Sequence, residues 1–145
     1  MNPASHELRN LAERLIAFEN KTDNSSTAIL PRVCLVVEKV RPHLSALMGV
    51  MGFSALATRA LMLATADIPW LRQVHVKADG ALDGFAELSS QIDKDKFLQA
   101  CVAYLTHLFG LLEVFIGEKL TLQLIYDVWP ELSHSDAHFN KGEKK

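Results

Sequence analysis

The chain carries six histidines, and an imidazole can accept a phosphoryl group on a ring nitrogen or bind a metal ion. His6 stands in the run Ser5-His6-Glu7-Leu8-Arg9, on what reads as the exposed side of a first helical turn. His107 lies in a long apolar stretch, three residues before Gly110, and His75 lies two residues before Lys77 where the helical pattern fails. His134, Asp136 and His138 have a spacing that clips a metal ion only if the segment is helical. The polar composition of Ser133 to Lys145 predicts disorder instead, so metal binding there would be adventitious. No glycine-rich phosphate loop, nucleophile elbow, paired CxxC or HExxH motif is present. No metal and no cofactor are therefore expected, and the positive case for an enzyme is missing.

Ser5–Arg9 resembles the phosphoacceptor helix of sensor histidine kinases. That motif normally continues with Thr-Pro, whereas here Asn10-Leu11 follows, and no ATP-binding glycine-rich segment appears later. Histidine phosphotransfer domains are small helical bundles without ATP sites, marked by a histidine, a lysine three residues on, then glycine. His107-Leu108-Phe109-Gly110 keeps the histidine and a glycine, and His75-Val76-Lys77 has the wrong spacing. A phosphotransfer-like signalling role is a minor alternative.

The elements that would position any site follow from composition and spacing. With 145 residues, 49% hydrophobic and 22% charged, the chain is the size and composition of one globular domain. A net charge of −2 supplies no basic field for nucleic acid. Cys34 and Cys101 lie in apolar runs and read as reduced, buried thiols. The first ten residues hold no apolar signal core, so a cytoplasmic location is expected.

Charge is unevenly spread. From Pro42 to Ala66 the only full charge is Arg59, and from Phe97 to Gly117 the only one is Glu113. Two such stretches must pack on each other, on a partner or in a bilayer. Gln99, Thr106 and Glu113, each seven residues from the next, form a polar stripe that argues against lipid around the second stretch. A membrane partner is not expected.

The fold class is all-α, a bundle of about five main helices. Asn2-Pro3 starts the first helix, whose stripe is Leu8, Leu11, Ala12, Leu15 and Phe18. Lys21–Thr27 reads as a flexible loop. A second helix begins near Ala28 and is kinked or interrupted at Pro42; Gly49 and Gly52 then allow a close turn into a third helix from about Phe53 to Ala66. Val74, Val76 and Ala78 alternate ahead of Asp79-Gly80, which offers a type I′ hairpin within an excursion near residues 73–84. Asp93 caps the longest helical pattern, from about Lys94 to Trp129, which Gly117 either bends or divides and Pro130 ends. Residues 1–132 form the helical domain and 133–145 a polar tail. Trp70 and Trp129, each beside a proline, read as plugs at the ends of the core.

Three sets of residues are candidate functional positions. Ala103, Gly110 and Gly117 form a row of small residues that admits a close helix, either the Phe53–Ala66 segment or a second copy; with Leu8, Leu11 and Leu15 this row is the candidate interface. The first helix could swap between protomers. Arg59 and Glu113, each alone in its stretch, are expected to form a buried ion pair. Met48, Phe53, Met62, Phe109 and Phe115 could line a pocket for a small apolar ligand or lipid.

The stretches Ile68–Phe85 and Val114–Pro130 resemble small bacterial proteins of unassigned function. Those share an Asp-Gly segment and a Phe-Ile-Gly-Glu…Leu-Thr-Leu…Trp-Pro ending. The resemblance implies a bacterial, stand-alone helical domain and no particular activity. The expected function is that of a non-enzymatic regulatory or adaptor protein acting through helix-mediated association. A homodimer is the expected assembly, with room for a further protein partner. The other reading is a binding module for an apolar ligand or lipid.

Overall fold

A computed structural model of the chain describes residues 3–22 and 30–130. It is all-α apart from one small hairpin. Four main helices carry the fold: α1 (Pro3–Thr22), α2 (Leu30–Asp67), α4 (Lys94–Ile116) and α5 (Glu118–Val128). A 3-10 turn (Pro69–Gln73), strands β1 (His75–Val76) and β2 (Leu82–Asp83), and the short helix α3 (Phe85–Gln91) lie between α2 and α4.

Four residues of the expected α1 stripe, Leu8, Leu11, Ala12 and Leu15, enter the core, and Phe18 packs against it half-buried; Ile16, outside that stripe, is buried as well. Lys21 and Thr22 belong to the last turn of α1, and the remainder of the expected loop lies outside the described residues. So do the polar tail, with His134, Asp136 and His138, and the side chains of His6 and Cys34.

Helix α2 corrects one part of the expected division and keeps the other. It runs through Pro42 without interruption, and the turn expected at Gly49 and Gly52 falls at Gly49, whose φ of 84° and ψ of 158° are not helical. Pro42 is exposed, so the carbonyl that loses its partner there can be solvated. Gly49 adopts a backbone that side-chain-bearing residues rarely reach. The expected second and third helices are thus two arms of one element kinked at Gly49, and the main helices among the described residues number four.

The two charge-poor stretches share one core. Phe53, Ala57, Ala60 and Ala64 of α2 lie in the same buried cluster as Tyr104, Leu105, Leu108 and Leu112 of α4. Asp93 caps α4 by accepting a hydrogen bond from the Lys96 N–H at 2.8 Å. Gly117, at φ 94°, divides the long pattern into α4 and α5. Trp129 is buried to 1% exposure and closes one end of the core; Trp70 is half-buried, with Lys96 Nζ 5.4 Å from its ring centroid.

The hairpin is antiparallel, pairing His75 with Asp83 and Val76 with Leu82. Its turn is not type I′, because that turn needs positive φ at both central residues and only Gly80 has it. Gly80 N–H donates to the Lys77 carbonyl, Lys77 N–H donates to the Ala81 carbonyl, and Asp79 Oδ1 accepts from Ala81 N–H. The turn packs on α2: a Cβ at Gly80 would lie 2.4 Å from the Phe53 ring. Arg41 Nη1 lies 3.5 Å from Asp79 Oδ2, and Glu38 accepts hydrogen bonds from the same guanidinium.

Candidate functional site

The second arm of α2 has only one face to bury. Phe53, Ala57, Ala60, Leu61 and Ala64 take it into the core, which leaves Met51, Ala55, Arg59, Met62 and Ala66 on the outside. That outer face carries a single charge. Met51 is 85% exposed and Met62 64%, and Leu47 on the first arm and Val50 just past the break are also exposed. Within Val36–Asp67 only 22% of the most apolar stretch is buried, against 44% in Asp95–Ile116; both helices are long and apolar enough to cross a membrane by length and composition.

Beside this face the chain turns back through Pro69–Gln73 and β1, and a groove of about 640 Å³ lies between them. Leu61, Met62 and Ala66 form one wall, Val74 and Val76 the other, and Arg72 and His75 stand at it as polar groups. Thr58 and Thr65 border it too, but their hydroxyls donate back to the Ser54 and Leu61 carbonyls at 2.8 and 2.7 Å. The walls are therefore apolar and the charge is cationic. Arg59 and Arg72 are exposed, and neither forms an ion pair among the described residues.

A second exposed apolar feature is the elbow where α4 meets α5. Val114 is 85% exposed, Phe115 62% and Leu120 54%. The elbow is acidic. Burial pushes the Glu113 carboxyl above the usual carboxylate range, and the nearby charges of Glu118 and Glu7 push it the same way.

The expected Arg59–Glu113 pair is not formed. Arg59 lies on the outer face of α2, whereas Glu113 is half-buried and faces other carboxylates. Each is alone in its stretch of sequence, but the helices present them to different surroundings. His107 supplies the polar link between these helices instead, with Nε2 2.9 Å from Asp67 Oδ2.

The expected interface residues are distributed differently as well. Leu8, Leu11 and Leu15 are buried in the chain's own core. Gly110 does admit a neighbour, but it is α1: a Cβ there would meet Leu8 Cδ1 at 3.6 Å. Ala103 is half-buried, and Gly117 is exposed with open space around it and serves to break the helix. The five residues expected to line a pocket differ widely in burial. Phe53 and Phe109 are buried in the core, Met48 is half-buried, Phe115 is at the elbow, and only Met62 reaches the groove.

Sequence reasoning missed Arg72, Val74 and Val76 as groove residues. The alternation of Val74 and Val76 was visible, but not which helix the hairpin would lie against. In the core, the Tyr104 hydroxyl is fully buried with no hydrogen-bond partner among the described residues, and burial pushes its pKa up. Among the described residues no group of three or more His, Cys, Asp or Glu side chains is placed to hold a metal ion. No family model matches the chain, and no curated protein or solved structure shows significant similarity to it.

Proposed function

We propose that the chain is a non-enzymatic regulatory or adaptor protein that acts by helix-mediated self-association. The observation that carries this reading is the outer face of α2, where Met51 and Met62 stand in water beside alanines and threonines with Arg59 as the face's one charge. Soluble monomers rarely leave such a surface uncovered. Burying a methionine side chain is worth about 1.5–3 kcal/mol, so a few such residues supply a substantial part of a dimer's affinity. The contact surface in this reading is the α2 face, in place of the Leu8–Leu11–Leu15 stripe.

Sedimentation equilibrium of purified protein tests the reading, with Met62→Lys as the probe because that side chain is already exposed. Wild type is expected to dimerise or assemble further with rising concentration, and the variant to shift towards monomer while keeping its helical circular dichroism. A wild-type protein that stays monomeric at the highest concentration, or binds liposomes in place of itself, sinks the reading.

The groove favours one other reading, a module for a small apolar ligand or lipid, since a volume of about 640 Å³ with apolar walls suits such a guest. Mass spectrometry of the native protein for a co-purifying amphiphile separates the two. Phosphotransfer through His107 has less support, because its Nε2 is engaged by Asp67.

A further inference from the structure

We propose that the two apolar surfaces are partners: the α2 groove of one copy receives the α4–α5 elbow of a second copy of this chain. The inference rests on self-association and says which surfaces meet. Complementarity of charge and shape supports it.

The groove is apolar with cations at hand. Met62 and Leu61 face Val74 and Val76 across it, Arg72 borders it, and Arg59 stands on the same outer face of α2. Neither arginine has an ionic partner among the described residues. Asp67, the carboxylate that α2 carries nearby, is turned towards α4, with its Oδ2 2.9 Å from His107 Nε2. The groove therefore asks for an apolar guest flanked by carboxylates.

The elbow offers that guest. Val114 and Phe115 project at 85% and 62% exposure, and Glu113 and Glu118 flank them. Glu7 adds a third carboxylate near enough to act on Glu113, and Lys119 does not offset all three. These carboxylates repel one another in the isolated chain, and a guanidinium from a second copy would relieve that repulsion. The groove's volume of about 640 Å³ is ample for a valine and a phenylalanine side chain. An anionic lipid surface is the poorer occupant of the whole assembly, because the elbow's carboxylates would be repelled by its headgroups.

If each protomer's groove and elbow engage the same neighbour, the pair closes as a two-fold dimer; if they engage different neighbours, the chain of contacts extends. The charge logic is the same in both cases, so a charge-exchange experiment reads it. Arg72→Glu and Glu118→Arg alter exposed side chains on opposite members of the contact. Wild type, each variant, and an equimolar mixture of the two variants are compared by sedimentation velocity over a concentration range, with circular dichroism as the check on folding.

Each single reversal is expected to weaken self-association by about tenfold, equivalent to about 1.4 kcal/mol. The mixture is expected to recover most of that loss, because the carboxylate introduced on the groove of one chain can then meet the guanidinium introduced on the elbow of the other. If wild type associates and the reversals leave it unchanged, or weaken it with no recovery on mixing, the pairing of groove and elbow is wrong while self-association stands. If wild type is monomeric throughout, self-association itself fails. Vesicles of anionic lipid run in parallel supply the remaining outcome: binding to them by wild type, abolished by Arg72→Glu with no self-association, overturns the pairing in favour of a lipid partner.

Discussion

Glu113 shows how a single residue's neighbours decide its role. Spacing placed it on the polar stripe with Gln99 and Thr106, and the structure leaves it half-buried with Thr106 while Gln99 is exposed. Its counter-ion was not legible, because pairing depends on how far two helices are rotated about their own axes, which a lone charge in each stretch does not fix. With burial, then Glu118 and Glu7, all raising its pKa, the folded state holds the Glu113 proton more tightly than the unfolded chain does. The linked stability is present below the ordinary carboxylate range and is lost as pH rises through the raised folded value. Glu113→Gln removes the ionisable group and keeps the shape. The variant is expected to match wild type in thermal midpoint at low pH and to exceed it at neutral pH, in melts at dilute protein. A midpoint difference that does not vary with pH would show that the group titrates alike in both states. Tyr104 illustrates the opposite limit of legibility, since nothing in its apolar context signals that the hydroxyl would be sealed away with no partner among the described residues.

At the scale of elements, what sequence made legible tracks how local the cause is. The cap at Asp93 and most of the buried stripe of α1 follow from residues within a turn or two and are present, and of the two outcomes that Gly117 left open, a bend or a division, the division is found. The interruption expected at Pro42 is absent, because a proline that faces water can be tolerated, while the turn expected at Gly49 and Gly52 falls at Gly49, since a glycine is the cheapest place to depart from helical φ. The hairpin was legible as an alternation, but its turn was not, since Gly80 is fixed as much by the Phe53 ring on α2 as by its neighbours in sequence. This predicts a large effect from a small change. Gly80→Ala forces a methyl group into that ring and puts a side chain at φ 90°. The expected loss is about 2–4 kcal/mol, from backbone strain and overpacking together. Gly110→Ala is the contrasting control, because its Cβ would make an ordinary 3.6 Å contact with Leu8. Chemical denaturation of both variants tests the pair, and equal losses would mean that the hairpin does not hold its place by packing on Phe53.

For the molecule as a whole, the central legible fact was that two nearly uncharged stretches would find each other, and they do share a core. What could not be read was the surplus. Hydropathy counts apolar residues without saying how many faces of a helix the rest of the chain can cover, and the second arm of α2 is apolar beyond what its neighbours hide. The candidate site lies in that surplus, while the leucines of α1 singled out for an interface were consumed by the core. The shared core also sets cooperativity. Leu15 of α1 and Leu105 of α4 are each fully buried in one cluster, so α1 should not melt as a separate arm. Leu15→Ala and Leu105→Ala are each expected to cost about 2–5 kcal/mol. Both should shift one transition that is superimposable when followed by helical signal and by tryptophan fluorescence. An early loss of helical signal confined to Leu15→Ala, with the tryptophan signal unmoved, would identify α1 as a detachable segment. Exchange of α1 between copies would then account for association without the groove.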